Sequence, residues 1–139
     1  MVARPADTSS SEAIIVSVMK DIVARIGRGF DKEIYETAFK NKMESLGSFV
    51  QMKPQISIVH EGQNVGYVQP DMIVSIKTDN DDLQDVIVGI KTDDGINEKQ
   101  RAQIKGAIKF SRIPVGILLN VDHDKGFTHE MIVENLSMV

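Results

Sequence analysis

Two apolar runs constrain this chain more than anything else in it: Val86-Ile87-Val88-Gly89-Ile90, and Ile113 through Val121. Runs that stay apolar instead of alternating belong to strands buried on both faces. Between them lie the turn Asp93-Asp94-Gly95 and a helical segment opening at Asn97, where Gln100 completes a capping box. Two buried strands joined over a helix make a crossover unit, so strands 86–91 and 115–121 are expected side by side and parallel in one sheet. Lys91 closes the first of them, and a lysine at the end of a buried strand needs a reason.

The stretch before that strand supplies one. Residues 65–77 read as an extended arm carrying Pro70-Asp71, the acidic Asp79-Asn80-Asp81-Asp82 is a connection, and the next strand returns antiparallel to end in Lys91. Metal-dependent phosphodiester cleavage uses an aspartate, a second acid to share Mg²⁺, and a lysine two residues beyond that acid. Here the second acid is missing, because position 89 is Gly89.

Upstream, Ser9 with Glu12 forms a capping-box pattern, and Ile15, Met19, Ile22 and Ile26 recur at helical spacing, predicting a helix over about 10–25. Gly27-Arg28-Gly29 breaks it. A second helix is expected over about 31–45, with Ile34, Ala38 and Met43 on its inner side and Gly47 as its stop. From Phe49 the period changes to two, and a hairpin about Glu61-Gly62-Gln63-Asn64 leads into the arm, implying a meander of three or four strands. Phe127, His129, Met131 and Val133 alternate with polar neighbours, which favours an edge strand over a helix. Gly106, mid-helix, costs about 1 kcal/mol relative to alanine and so implies close packing against the sheet. Residues 1–8 lack periodicity and read as a flexible N-terminal arm on a single domain covering 9–139.

At 139 residues one core suffices, and the absence of cysteine excludes disulfides and thiolate catalysis. His60, His123 and His129 have no paired ligand spacing. With no apolar run of membrane length and no secretory leader, the expectation is an intracellular, cytoplasmic protein with no membrane partner. A net charge of −4 argues against a tight, non-specific grip on a polyanion but leaves room for a local basic site. One such site is the i,i+4 series Arg101, Lys105, Lys109, with Arg112 near by, which could track phosphates or be an ordinary solvated face.

The order Gly27-Arg28-Gly29-Phe30, Tyr35, Gly66, Asp71, Val86-Ile87-Val88-x-Ile90-Lys91, Gln103 and Gly116-Ile117-Leu118-Leu119-Asn120 resembles the GxxExxY proteins of the PD-(D/E)xK nuclease-like superfamily, over residues 12–121. The resemblance implies an α/β fold of the restriction-endonuclease-like kind, a mixed sheet flanked by helices. It also implies Asp71 as the metal-binding aspartate, Lys91 as the motif lysine and Gln103 as the glutamine of the following helix. Two positions depart from the pattern. The family's helix-two glutamate falls on Lys32, and the strand glutamate falls on Gly89; no lysine in the chain has an acid two residues before it.

A hard divalent ion wants several oxygen ligands. With Asp71 alone from the usual set, Mg²⁺ would be a cofactor only if a displaced acid completed the shell, Glu36 by its direction one turn after Lys32, or Asp93 or Glu98 just past the strand. A Lys32–Asp71 ion pair is the competing expectation, the ammonium standing where the ion's ligands converged. Three function classes follow: a non-catalytic structural or interaction module with a protein partner or self-association, in a nucleic-acid-associated or virion assembly; a Mg²⁺-dependent DNA nuclease; and a non-catalytic nucleic-acid-binding protein.

Overall fold

The computed structural model describes residues 9–77 and 81–136. The arm expected over 1–8 and residues Asp79 and Asn80 of the acidic connection lie outside them. Two helices open the chain, α1 (Ser9–Ile26) and α2 (Lys32–Ser45); strands β1 (Phe49–Met52), β2 (Ile56–His60), β3 (Gln63–Val68), β4 (Met72–Lys77) and β5 (Leu83–Lys91) follow. Helix α3 (Glu98–Ser111), β6 (Val115–Asp122) and β7 (Gly126–Val133) complete it.

The sheet has the order β1-β4-β5-β6-β7. β5 and β6 run parallel, Val88 opposite Ile117 and Lys91 opposite Asn120, as the two apolar runs and the intervening helix require. All of β6 is buried, and Ile87, Val88 and Ile90 of β5 are wholly buried. The other pairings are antiparallel, and the tail is indeed an edge strand, β7 beside β6. Helices α1 and α2 cover one face around Ile15, Met19, Tyr35, Phe39 and Met43; α3 covers the other through Ile104, Ala107 and Ile108. The result is a single mixed α/β layer structure of the restriction-endonuclease-like kind.

Three expectations are corrected. The arm 65–77 is not one strand: it breaks at Gln69-Pro70-Asp71, because proline cannot donate to a sheet ladder, and β3 pairs with β2 in a separate two-stranded ribbon. The expected meander is therefore divided between two sheets, and β1 reaches the main one by skipping the ribbon. On α2 the inward stripe is Tyr35, Phe39 and Met43, while Ile34 is 45% exposed. Tyr35 sets that rotation: its hydroxyl donates to the Gly27 carbonyl at 2.8 Å, tying α2 to the turn after α1. Finally, a Cβ on Gly106 would meet open space, whereas one on Gly116 would lie 2.5 Å from Ile104 Cγ2. The close approach of α3 to the sheet is therefore carried by the glycine of the strand, not that of the helix.

The α3 capping box is present, with Asn97 Oδ1 accepting from Gln100 N–H and Gln100 Oε1 accepting from Asn97 N–H. The Ser9 side chain, the expected partner of Glu12, is not among those described; Glu12 Oε2 lies 3.0 Å from His129 Nε2 of β7.

Candidate functional site

Asp71 is the last of the three residues leading into β4, at the point where β4, β5 and the N-terminus of α2 converge. It is 8% exposed. Its Oδ1 accepts from Lys32 Nζ at 2.6 Å, and its Oδ2 accepts from the Ile90 N–H at 2.8 Å with Lys91 Nζ at 3.3 Å. Both carboxylate oxygens are thus taken by the protein's own donors. Burial opposes ionisation of Asp71, but the Lys32 hydrogen bond, the charges of Lys91 and Lys32 and the Ile90 N–H outweigh it, so its pKa lies below the usual carboxylate value. Burial likewise works against the Lys32 ammonium and is overcome by Asp71, with Glu36 contributing, leaving its pKa above the ordinary lysine value.

Behind this cluster lies Glu36, one turn after Lys32 and 2% exposed. Its Oε2 has no hydrogen-bond partner and is 3.6 Å from Lys53 Nζ. Burial first, then the charge of Asp71, raise the Glu36 pKa against the pull of Lys53 and Lys32. Lys53 also donates its backbone N–H to the Asp71 carbonyl at 2.8 Å, fastening the β1–β2 connection over the site.

A cavity of about 460 Å³ opens above Asp71. Lys32, Asp71, Gly89, Lys91 and Gln103 all line it, so the five positions singled out in the sequence come together. A Cβ on Gly89 would lie 3.0 Å from Leu118 Cδ2, 3.5 Å from Ile104 Cδ1 and 3.7 Å from Asp71 Oδ2, so a side chain there would start beside the carboxylate. The β2–β3 ribbon forms the opposite wall, with Ile58, Val68 and Tyr67, the last 60% exposed. Sequence reasoning missed Tyr67 and Lys53, since nothing in local pattern says that the ribbon leaves the main sheet and folds across the site.

The remaining candidates lie outside this cluster. Glu98 pairs with Arg101 at 2.6 Å, and Arg101 is also held by Glu130 through Nε at 2.6 Å and Nη2 at 3.0 Å. Asp93 Oδ2 accepts from Gln100 Nε2 at 2.5 Å. Lys105 and Lys109 are exposed on α3, the Lys109 ammonium 5.5 Å from the Phe110 ring centroid, and Arg112 donates to the Leu136 carbonyl. Among the described residues no three His, Cys, Asp or Glu side chains are grouped so as to hold a metal ion.

Residues 9–131 match the family model of the PD-(D/E)XK nuclease superfamily. The chain belongs to that superfamily. No curated protein matches it. Among solved structures it is similar to the crystal structure of SSO0001, with a TM-score of 0.55 and 16% identity over 94% of this chain. This PD-(D/E)XK domain spans 62% of that protein, and at such identity the likeness is one of fold. An alkaline exonuclease (LHK-Exo) from Laribacter hongkongensis aligns at a TM-score of 0.48 and 10% identity, over 96% of this chain and 74% of its own. Among the described residues no helix is long and apolar enough to cross a membrane.

Proposed function

We propose that this domain is a GxxExxY-type member of the superfamily whose reaction centre has become architecture: a non-catalytic nuclease fold acting as a structural and interaction module, in a nucleic-acid-associated or virion-type assembly. One observation carries this reading, the Lys32 ammonium 2.6 Å from Asp71 Oδ1. An ion in the family's position would need Asp71 and the helix-two acid as oxygen donors. Here the second of these is a cation that already occupies the first, and the strand position is Gly89. The donor set does not fit a divalent ion. Mg²⁺ needs near-octahedral oxygen coordination and gives up water reluctantly, so a site offering one saturated carboxylate cannot hold it.

A displaced acid is the alternative that would restore a Mg²⁺-dependent DNA nuclease. Glu98 is spent on Arg101 and Asp93 on the α3 cap. Glu36 is within electrostatic reach of Asp71, but it is 2% exposed, lies 3.6 Å from Lys53 Nζ and does not line the cavity.

For an interaction role the exposed edge of the main sheet is the relevant surface, where β1 carries Phe49 at 65% exposure next to Leu46 at 55%. Self-association or a protein partner at that edge would cover both and use the open backbone donors of an edge strand. Lys105 and Lys109 favour nucleic-acid contact as a second reading, while Arg101, neutralised by Glu130 and Glu98, is a poor contributor to it.

The test is incubation with single- and double-stranded DNA in Mg²⁺ or Mn²⁺. The expected result is no cleavage; divalent-dependent nicking abolished by Asp71→Ala would overturn the proposal. Light scattering in parallel should show an oligomer or a partner complex, and a strict monomer that captures no partner would count against the module.

A further inference from the structure

Deepening the interaction role proposed above, and resting on it, we infer that the open β1 edge pairs with the β1 edge of a second copy of this chain, antiparallel about a twofold axis at Val50. The main sheet has two edges, and they differ in charge. β7 carries His129 and Glu130, each held by a flanking helix, His129 by Glu12 of α1 and Glu130 by Arg101 of α3. Charges on an edge strand oppose pairing with another chain. β1 is Phe49-Val50-Gln51-Met52, and the run from Leu46 to Met52 has no charged side chain. At a net charge of −4, copies of this chain repel one another over most of their surface, so a neutral edge is where they can meet.

Symmetry then restricts the register. When a sheet continues across a twofold axis normal to it, opposite residues point to the same face, so the axis falls at a residue and not between two. An axis at Gln51 would set Phe49 opposite Lys53, whose φ of 48° takes it out of the strand. An axis at Val50 sets Phe49 opposite Gln51 of the second copy, and both belong to the face that carries Ile73 and Ser75 of β4. Helix α3 packs on that face against β5, β6 and β7, and its end, with Ile113, borders a groove of about 390 Å³ over β1 and β4. Phe49, 65% exposed in one copy alone, is laid over Gln51 of the other at the mouth of this groove. Asp85 also lines the groove and accepts from Ser75, but it does not oppose the contact. Five strand spacings separate it from its counterpart, about 24 Å, well beyond the roughly 10 Å Debye length at moderate salt.

A four-residue ladder with one aromatic anchor from each copy buries less than the about 800 Å² per partner of a standard interface. The dimer is therefore a weak one, with a Kd on the order of 10 µM. A strand of another protein could use the same backbone groups. The second copy is favoured because it brings an uncharged strand and a Phe49 for the facing groove in one symmetric contact.

The experiment is sedimentation of the full chain over about 1–200 µM, a range that brackets the expected Kd. Wild type is compared with Phe49→Lys and Gln51→Lys, both exposed positions, with thermal unfolding to confirm that each variant is folded. Expected is a concentration-dependent dimer that each lysine weakens about tenfold or more. Because the chain has no cysteine, Gln51→Cys should be joined to its counterpart by a bismaleimide spanning about 8 Å, the diagonal distance across an antiparallel pair. Val133→Cys, 49% exposed on β7, should not be. A strict monomer at the highest concentration overturns the inference, as does a dimer that either lysine leaves unchanged. Failure of Gln51→Cys to link, or equal linking through Val133→Cys, overturns it too. So does a chain that stays monomeric yet binds an alternating valine–threonine peptide, since the edge then belongs to another protein. These outcomes are separable from catalysis. With no dimer and no DNA cleavage the inference falls and the loss of catalysis stands, whereas DNA cleaved in Mg²⁺ by a chain that dimerises through β1 overturns the non-catalytic reading alone.

Discussion

Lys32→Met is the most direct probe of the site's energetics. It removes the ammonium from Asp71 Oδ1 and leaves the buried carboxylate with Lys91 at 3.3 Å and the Ile90 N–H at 2.8 Å. Stripping one partner from a fully buried ion pair costs about 3–5 kcal/mol, and a hydrogen bond to a charged group is worth about 1.5–3 kcal/mol. The Lys32 side chain is 29% exposed and a second lysine remains, so the lower end applies. The expected loss is about 1.5 kcal/mol, or roughly 3–6 °C in Tm for a domain of this size. Asp71→Asn should cost more, about 2–3 kcal/mol, because it leaves two ammonium groups together with no charge between them. Lys32→Met combined with Asp71→Asn should cost less than the two singly, with a coupling of about 1 kcal/mol. Urea unfolding of the four proteins at pH 7 measures this. The Asp71 pKa is depressed on folding, so its contribution is present above the ordinary carboxylate pKa and lost as pH falls through the folded value; Lys32→Met should narrow that acidic window. A loss below about 0.5 kcal/mol with no coupling would refute the account of Asp71 as a carboxylate held by Lys32.

Glu36→Gln should stabilise the protein at pH 7 by about 1 kcal/mol, since it removes a buried charge whose Oε2 has no hydrogen bond and for which burial and the charge of Asp71 outweigh Lys53 at 3.6 Å. The Glu36 pKa is raised on folding, so wild-type stability should decline as pH rises from the ordinary glutamate value through the folded one; a decline that persists in Glu36→Gln would assign it to another group. Lys32→Glu with Gly89→Glu places two acids beside Asp71 at the cost of displacing Leu118 Cδ2 by a few tenths of an ångström. This variant should be destabilised in EDTA and recover about 2.7 kcal/mol when Mn²⁺ reaches about a hundred times its Kd; a Tm indifferent to Mn²⁺ would show that these positions do not face a common ion. Gly116→Ala should cost about 1–3 kcal/mol through its collision with Ile104, whereas Gly106→Ala should gain up to about 1 kcal/mol, and denaturant midpoints for the pair decide between the two glycines.

The main sheet was legible because burial on both faces leaves a pattern that nothing else mimics: Val86 to Ile90 and Val115 to Val121 could hardly be other than neighbouring core strands. The convergence of Lys32, Asp71, Gly89, Lys91 and Gln103 was legible only through the resemblance of the ordered motifs to a known family, since those residues are far apart in sequence. What stayed hidden depends on tertiary choices. The ribbon of β2 and β3 carries the same alternation whether it extends the main sheet or leaves it, and only the break at Pro70 and its packing against α3 decide. The inner face of α2 was misassigned because Ile34 is as apolar as Phe39, and the Tyr35 hydroxyl bond that fixes the rotation has no periodic signature. Arg101 looked like one of a row of cations because Glu130, its partner, lies 29 residues away on an edge strand.

The bond from the Ile90 amide to Asp71 gives this aspartate a duty to the sheet that is independent of any ion. Pairing between β4 and β5 ends at Met72 with Val88, so the Ile90 amide lies just beyond the last rung and would face a buried gap. The Asp71 side chain supplies the missing acceptor, extending the ladder by one step with a carboxylate in place of a carbonyl. Replacing this residue therefore removes an acceptor from the sheet's own bonding, whether or not the cavity above it ever meets a ligand.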